Sequence, residues 1–168
     1  HEQLVERRVF VPDAEARFVQ PRRPYRFDDE DAPAPRPAPR LGAHTRSAAF
    51  SKRASDASPR AEQGSLPLAG LRVLDLTAWW AGPAATHLLA TFGAEVIHVE
   101  STSRIDGLRS IGGMMAGHFP DWWEASPHFL HTNSNKLAIT LDLAKRAGLA
   151  LIERLIAKCD AVVENFTP

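Results

Sequence analysis

Several polar and aromatic side chains in this sequence are of types that could do chemistry. Asp75 lies inside the apolar stretch LRVLDL (71–76), where an acid can serve as a catalytic base. An acid in such a stretch more often caps or binds neighbouring backbone, and we favour that interpretation. His128 and His131 have H-x-x-H spacing, but no cysteine or carboxylate follows at a ligand-like distance. We therefore interpret both as loop or core histidines and predict no metal site.

Two pairs of side chains remain as candidates for ligand binding. Trp79 and Trp80 could wall a ligand, or they could fill the end of a sheet. Asn165 and Phe166 could hold an adenine or a phosphate, and a turn Asn followed by a core Phe is the plainer explanation. Residue type and spacing leave both questions open.

The elements that must position these residues begin with a βαβ unit. Residues 71–76 predict a buried strand, and AEVIHVE predicts a second strand over 95–100. Between them, PAATHLLATFG predicts a helix, because Pro83 suits a first helical turn and Gly93 suits a left-handed C-cap. A strand, a helix and a strand of these lengths form a βαβ unit, whose strands are parallel.

A second unit follows at residues 137–166. LAITLDL (137–143) and DAVVENF (160–166) predict strands, and AKRAGLALIERLIAKC predicts an amphipathic helix between them. Its apolar stripe would consist of Gly148, Ile152, Leu155, Ile156 and Cys159. The intervening residues 101–136 predict a long loop, in which Phe119, Trp122, Trp123 and Phe129 argue against disorder. The two units together predict an α/β fold with a Rossmann-like parallel sheet.

Ligands of such sheets bind beyond the carboxyl ends of the strands. The predicted site therefore lies in TAWWAGP, ESTSRIDGLR and ENFTP, which follow three of the strands. A dinucleotide would require G-x-G-x-x-G in the first of these turns, and only Gly82 is present there. The helix start at Gly82 and Pro83 could still offer free amides to an anion.

Composition limits the function classes. Lys plus Arg number 20 and Asp plus Glu number 20, so no field of one sign favours nucleic acid or an anionic membrane. The single cysteine, Cys159, excludes an internal disulfide and fits a reducing compartment as a buried helix-end thiol. The apolar runs are shorter than the roughly 20 residues of a spanning helix. We expect a soluble, cytoplasmic protein without a nucleic-acid or membrane partner.

Three motifs in order carry a family resemblance. LPLAGLRVLDLTAWWAGPAATHLLATFGAEVIHVE, TNSNKLAITLDL and CDAVVENFTP resemble motifs of the family III coenzyme A transferases, the CaiB/BaiF group. The resemblance covers nearly all of residues 66–168. It implies that residues 66–168 are the incomplete N-terminal part of a Rossmann-like large domain.

An earlier stretch resembles the opposite end of the same family. PAPRLGAHT (37–45), with HEQLVERRVFV and PRRPYRF before it, resembles the phrase that closes these enzymes. The resemblance therefore implies that residues 1–45 are the tail of one copy, residues 46–65 a flexible linker rich in Ser, Arg and Ala, and residues 66–168 the head of a second copy. Members fold as an intertwined homodimer, so the partner would be a second copy, on the same chain or another.

The resemblance also implies an activity and a set of contacts. Members pass coenzyme A from an acyl-CoA to an acceptor carboxylic acid through an aspartyl-CoA intermediate, with coenzyme A as substrate and no permanently bound cofactor. The nucleophilic aspartate is expected downstream of Pro168, so this chain has no predicted catalytic residue. The predicted CoA-binding residues are Ala78, Trp79, Trp80, Arg104, Leu141, Lys145, Asn165 and Phe166.

Three positions depart from the family pattern, and they bear on the alternatives. Ser101 stands where relatives often carry Arg or Pro, Leu137 stands where they often carry Arg, and Ala144 stands where they often carry Lys. Arg104 or Lys145 could supply the missing charge from a neighbouring position. The alternatives are an α-methylacyl-CoA racemase of the same family, and a noncatalytic structural half whose site has decayed.

Overall fold

The structure is a computed structural model that describes residues 1–22, 36–47, 49–50 and 66–167. The chain divides into two compact units, His1–Ala49 and Phe50–Pro168. Most of the predicted linker, and most of PRRPYRF, lie outside the described residues. Among the described residues, no helix is long and apolar enough to cross a membrane.

The first unit contains one short helix and a hairpin. Helix α1 spans Glu2–Glu6, and strands β1 (Phe10–Pro12) and β2 (Val19–Pro21) pair antiparallel. The Asp13 carboxylate accepts hydrogen bonds from the backbone amides of Arg17 and Phe18 and so closes the turn between the strands. The stretch resembling a family tail thus includes an ordered hairpin.

The second unit is built on a four-stranded parallel sheet, which confirms the predicted α/β fold. Strands β3 (Arg72–Asp75), β4 (Glu95–Glu100), β5 (Leu137–Thr140) and β6 (Ala161–Val163) lie in the order β5-β4-β3-β6. All three neighbouring pairs are parallel. Successive strand residues face opposite sides, so Val73 packs into one hydrophobic cluster and Leu74 into another.

Helices cover both faces of this sheet. Helix α2 (Ala81–Thr91) packs with Val73 and Val96, whereas α5 (Arg146–Ile156) packs with Leu74 and Ile97. Gly93 has a φ of 102° just after α2, as the predicted C-cap requires. The predicted apolar stripe of α5 is correct for Gly148, Ile152 and Leu155 and wrong for Ile156, whose exposed fraction is 41%.

Two strands of the structure are shorter than the apolar patterns that predicted them. Strand β5 stops at Thr140 rather than at residue 143, because Asp142 turns the chain: its side chain accepts from the Ala144 amide and its carbonyl from the Lys145 amide. Strand β6 stops at Val163 rather than at residue 166, because its partner β3 ends at Asp75.

Half of the segment predicted as a long loop is helical. It contains α3 (Gly107–Ser110), 3-10 turns at Gly113–Met115 and Trp122–Ala125, and α4 (Pro127–Asn133). The Ser126 side chain caps α4 and also donates to the Leu108 carbonyl at 2.6 Å. Phe129 of α4 is buried. The sequence lacked a sustained period here because these elements are too short to show one.

Candidate functional site

The strand order determines where a ligand crevice opens. Along the chain, β4 and β5 are added on one side of β3, and β6 is added on the other. The winding therefore reverses between β3 and β6, and in open parallel sheets ligands bind at the carboxyl ends of the strands beside such a point. The loops that follow β3 and β6 carry Ala78, Trp79, Trp80, Asn165 and Phe166. The structure thus brings two separate predicted stretches to one place.

Asn165 joins these two loops. Its side-chain Oδ1 accepts from the Ala78 amide at 3.0 Å, and its Nδ2 donates to the Ala78 carbonyl at 2.9 Å. A reciprocal pair of this kind fixes one peptide unit from both sides. Asn165 is therefore a side-chain clamp across the reversal point, rather than only a turn former. Phe166 next to it is exposed and not a core residue.

Trp79 adopts a backbone conformation that bulky residues rarely occupy. Its φ is 67°, in the left-handed region, where a bulky side chain is an outlier. Its amide donates to both carboxylate oxygens of Asp106 at 3.2 Å, and its ring lies so close to Gly107 that a Cβ there would overlap it. Strained residues persist only where their surroundings over-determine them, and they cluster at functional sites.

The indole rings of both tryptophans reach the surface. Trp79 is 54% and Trp80 48% exposed. The interpretation of these residues as an internal plug therefore does not fit, and their role in ligand binding stays a prediction. Trp80 meets the edge of His128 with ring centroids 5.3 Å apart. His128 and His131 lie on α4 rather than in a loop, and no group of three His, Cys, Asp or Glu in the described part of the chain could hold a metal.

The remaining predicted contacts follow β4 and β5. Arg104 is exposed, in a turn where its amide donates to the Ser101 carbonyl at 3.2 Å. Lys145 precedes α5 and forms an exposed ion pair with Asp142 at 3.1 Å. Leu141 is partly buried against the α5 side of the sheet. All eight predicted CoA-binding residues thus follow the carboxyl end of a strand.

The three departures from the family pattern are accommodated by local structure. The Ser101 hydroxyl lies 2.8 Å from that of Ser103. Ala144 donates its amide to Asp142, and Leu137 begins β5 with its side chain partly exposed. None of the three supplies a positive charge. In sequence, the nearest Lys or Arg to Ser101 is Arg104, and Lys145 directly follows Ala144.

An ionic cluster lies buried beneath residues 76–80, here called the tryptophan loop. Asp75 is fully buried, and its Oδ2 accepts from Lys136 Nζ at 2.9 Å and from the Thr86 hydroxyl at 2.7 Å. His98 Nδ1 lies 3.2 Å from the same oxygen. The other oxygen, Oδ1, accepts from the Thr77 amide at 2.9 Å and the Thr77 hydroxyl at 2.5 Å. The expected bond from Asp75 to neighbouring backbone is confirmed, and the ion pair with Lys136 is new.

Burial and neighbouring charges shift the pKa values of this cluster in opposite directions. Burial alone would raise the pKa of Asp75, but hydrogen bonding from His98 and the charge of Lys136 outweigh it and hold the pKa well below its usual value. Burial lowers the pKa of Lys136, and its attraction to Asp75 offsets this only in part. His98 and Lys136 together thus favour the ionised form of the buried Asp75 carboxylate.

A second ion pair anchors the segment that holds Trp79. Glu100, at the end of β4, binds Arg109 through contacts of 2.9 and 2.7 Å and accepts from the Asp106 amide at 3.0 Å. The Arg109 guanidinium also lies 3.6 Å from the centroid of the Phe129 ring. Burial raises the pKa of Glu100, but the Arg109 hydrogen bond outweighs this and the net shift is downward. Glu100 thereby fixes Asp106, which in turn holds the Trp79 amide.

The sequence pattern does not identify Lys136, Thr86 or His98 as partners of Asp75. Lys136 and Asp75 are 61 positions apart, so no local periodicity links them. The available signal was a single basic residue directly before an apolar strand, together with polar residues on the inward face of two strands.

Cys159 is a partly buried free thiol beside the α5 cluster, and burial raises its pKa.

Comparison with known proteins gives a consistent result. The chain matches the profile of CoA-transferase family III over residues 68–168. The succinyl-CoA–L-malate CoA-transferase alpha subunit of Chloroflexus aurantiacus is 38% identical over 111 residues, which are 66% of this chain and 25% of that protein. A probable CoA-transferase of Mycobacterium tuberculosis is 41% identical over 112 residues, 66% of this chain and 13% of that protein.

A solved structure agrees with these sequence matches. The crystal structure of Rv3272 from Mycobacterium tuberculosis superposes with a TM-score of 0.52 at 35% identity, covering 62% of this chain and 26% of that one. The chain spans about a quarter of the length of the Chloroflexus relative and of this structure.

Proposed function

The chain belongs to CoA-transferase family III, and from that premise we propose that the protein containing it moves coenzyme A between carboxylic acids. One observation carries the proposal. The eight residues that the family motifs assign to coenzyme A all follow carboxyl ends of strands in one parallel sheet, and five of them lie beside its reversal point. This is the edge at which open α/β sheets bind nucleotides.

The proposed chemistry is covalent catalysis by a carboxylate outside this chain. An aspartate downstream of Phe166 attacks the acyl-CoA carbonyl, which forms a mixed anhydride and releases the CoA thiolate. The thiolate then attacks the aspartyl carbonyl, so that the donor acid leaves and an aspartyl-CoA thioester remains. The acceptor carboxylate and the same thiolate reverse these two steps. The aspartate returns unchanged, and no oxidant or reductant is needed.

This chain would supply much of the coenzyme A cleft. We assign Arg104 and Lys145 to the phosphates, because both are exposed cations at the carboxyl edge. Leu141 would contact the adenine, and the loop from Ala78 to Trp80 would line the nucleotide and the acyl group. Asn165 would hold this loop in place through its two bonds to Ala78, with Phe166 at the cleft.

The reaction is tested on the full-length protein. It is incubated with succinyl-CoA, the donor named for the Chloroflexus relative, and a panel of carboxylic acids, and new CoA esters are detected by mass spectrometry. Borohydride added with the acyl-CoA should reduce the aspartyl thioester to an alcohol and inactivate the enzyme. Borohydride without acyl-CoA is the control. Transfer without trapping at an aspartate would contradict the covalent route, and racemisation of a 2-methylacyl-CoA without transfer would indicate the racemase.

The location of the cleft is tested with matched cations of one helix. Lys145 is the N-cap of α5 and Arg154 lies in its last turn, nine residues or ~13 Å away, so only Lys145 lies at the carboxyl edge. Lys145→Ala and Arg104→Ala should each raise the Kd for coenzyme A by up to about fivefold, since an exposed ion pair contributes up to about 1 kcal/mol. Arg154→Ala should leave it within twofold. An unchanged Kd in Arg104→Ala would remove Arg104 from the site.

A noncatalytic half is the second candidate, and one observation favours it. Ser101 and Ala144 lack the charges that relatives often carry at these positions, and local hydrogen bonds occupy both. In that case the full-length protein would show transfer at another copy, and neither Lys145→Ala nor Arg104→Ala would change the Kd. The same titrations therefore separate the two candidates.

We also propose that the polypeptide joins two transferase copies. Support comes from the order of the motifs, with the closing phrase PAPRLGAHT before the opening phrase LPLAGLRVLDLT. The probable CoA-transferase of Mycobacterium tuberculosis gives a precedent in length. The 112 matched residues are 13% of that protein, whereas 111 matched residues are 25% of the Chloroflexus protein, so the Mycobacterium protein is about twice as long. The second copy would be the partner of this one.

A further inference from the structure

The α2-covered face of the sheet is apolar at one end and ionic at the other. Toward the amino ends of the strands, Val73 and Val96 pack against Ala90 and Ala94. One pleat further, Asp75 and His98 occupy the same face, and Asp75 lies within hydrogen-bond distance of both His98 and Thr86 of α2. The polar part therefore lies on the carboxyl side, directly below the residues that follow β3.

Lys136 connects the elements of the polar part through hydrogen bonds. Its side chain is almost fully buried, and Nζ lies within 2.8–3.0 Å of four oxygens. These belong to Asp75 at the end of β3, Pro83 and Thr86 in α2, and Asn133 at the end of α4. One ammonium thus connects three elements that are separate in sequence.

Two of these contacts bracket the tryptophan loop, residues 76–80. On one side, Asp75 accepts the amide and the hydroxyl of Thr77, so the beginning of the loop depends on the position of that carboxylate. On the other side, Lys136 binds the Pro83 carbonyl in the first turn of α2 at 3.0 Å. A shift of the ammonium would therefore move both ends of the loop.

The loop itself needs such support. Trp79 occupies the left-handed region at φ 67°, and Gly82 faces the Thr77 side chain so closely that a Cβ there would overlap it. A strained loop of this kind relaxes when the contacts around it loosen. The buried contacts on Thr77 and Pro83 oppose that relaxation, and Asn165 and Asp106 hold the backbone amides of Ala78 and Trp79.

We infer that Lys136 is a positioning residue for coenzyme A: by holding Asp75 and the Pro83 carbonyl together, it fixes the tryptophan loop in its ligand-binding shape. It touches no substrate and acts through the loop. The inference rests on the proposed function, because it assumes that coenzyme A binds at this loop. It adds a residue outside the set that the family motifs assigned to coenzyme A.

The test compares three variants of the full-length protein. Lys136→Met removes the ammonium and keeps an unbranched side chain. Lys136→Met combined with Asp75→Asn also removes the uncompensated carboxylate, so that stability recovers although the bridge to Pro83 stays broken. Lys158→Met is the matched control, because Lys158 also donates to a backbone carbonyl, that of Phe50, but follows α5 near the amino ends of the strands.

Three quantities are measured: the melting temperature, the Kd for coenzyme A, and hydrogen exchange in the peptide covering residues 76–84. In both Lys136 variants the Kd should rise at least tenfold and exchange in the peptide should accelerate at least tenfold. The double variant should regain most of the melting temperature without regaining affinity. Lys158→Met should leave Kd and exchange within twofold of wild type.

The outcomes are distinguishable. If the double variant regains both stability and affinity, or if Lys136→Met leaves Kd and exchange unchanged, the residue is only structural and the inference is wrong. If Lys136→Met does not fold, the double variant decides alone. If the wild-type protein binds no coenzyme A, the proposed function fails first and the role toward coenzyme A fails with it. Exchange in the 76–84 peptide then decides whether Lys136 still positions the loop.

Discussion

At the scale of single residues, the buried Asp75 gives stability a defined pH dependence. Its pKa is lower in the folded protein than in the unfolded chain, so its contribution is present above about pH 4 and is lost as the pH falls below that value. The pKa of Lys136 is lowered from its usual value by burial, which its attraction to Asp75 offsets only in part. Acid titration reports on the carboxylates, whose usual pKa values are about 4.

Asp75→Asn should be less stable at neutral pH and less sensitive to acid. At pH 7 the loss should be about 3–5 kcal/mol, since Lys136 keeps a buried charge without its partner. Between pH 5 and pH 3, however, the wild type should lose about 1 kcal/mol more than the variant. Melting curves of the full-length protein across this range measure the difference. Asp142→Asn is the control, with a partly exposed carboxylate whose effect should be smaller. If wild type and Asp75→Asn lost the same stability between pH 5 and pH 3, Asp75 would not be the source of this pH dependence.

The residues of the candidate site could be predicted in part. Motifs drew attention to Trp79, Trp80, Asn165 and Phe166, because the loops that follow parallel strands are short and easy to recognise in sequence. Lys136 could not be found in this way, since its contacts come from three other elements that meet only when the sheet forms. The conformation of Trp79 was also hidden, because a bulky residue gives no sequence signal of a positive φ.

At the scale of the elements, apolar patterns located every strand of the sheet and its two longest helices. The patterns failed at the ends of β5 and β6, where hydrogen bonding stops although apolar residues continue. Asp142 decides the first case, since its side chain and carbonyl both accept bonds that begin the turn into α5. Strand ends thus depend on partners and turn chemistry, which hydrophobic periodicity does not encode.

The close approach of α5 to this turn makes Gly148 critical. Helix propensity alone predicts that Gly148→Ala stabilises the protein by up to about 1 kcal/mol. A Cβ at this position would, however, overlap the backbone carbonyl of Asp142, which cannot move without unwinding the turn. We expect a net destabilisation of about 1–3 kcal/mol, measured as the midpoint of urea unfolding of the full-length protein.

Ala150→Gly in the same helix is the matched control for Gly148→Ala. Ala150 is exposed, so its replacement should show the propensity effect alone, a loss of about 1 kcal/mol. Propensity by itself predicts opposite signs for the two variants, whereas the close approach predicts the same sign. A stabilised Gly148→Ala protein would mean that α5 lies farther from the Asp142 carbonyl than in this structure.

At the scale of the whole molecule, the sheet alone does not make a complete transferase. The family match covers residues 68–168, and these correspond to about a quarter of the Chloroflexus relative. Strands β5 and β6 form the two edges of the described sheet, and Val162 in β6 is partly exposed. Unpaired edges of this kind are usually covered or extended in folded proteins. The proposed nucleophile would also have to come from outside these residues.

The fused arrangement leads to a prediction about the native polypeptide. Its intact mass, measured by mass spectrometry on protein from its source, should be several times the 18.5 kDa of this chain. A single transferase copy and a fused pair differ about twofold in length, as the Chloroflexus and Mycobacterium relatives do, so the mass also distinguishes these two cases. A mass of the larger class would support two copies, with PAPRLGAHT closing the first. A mass of the smaller class would contradict the fusion and leave the transferase proposal intact. A mass near 18.5 kDa would contradict both, because the cleft would then have no source for the aspartate that the chemistry requires.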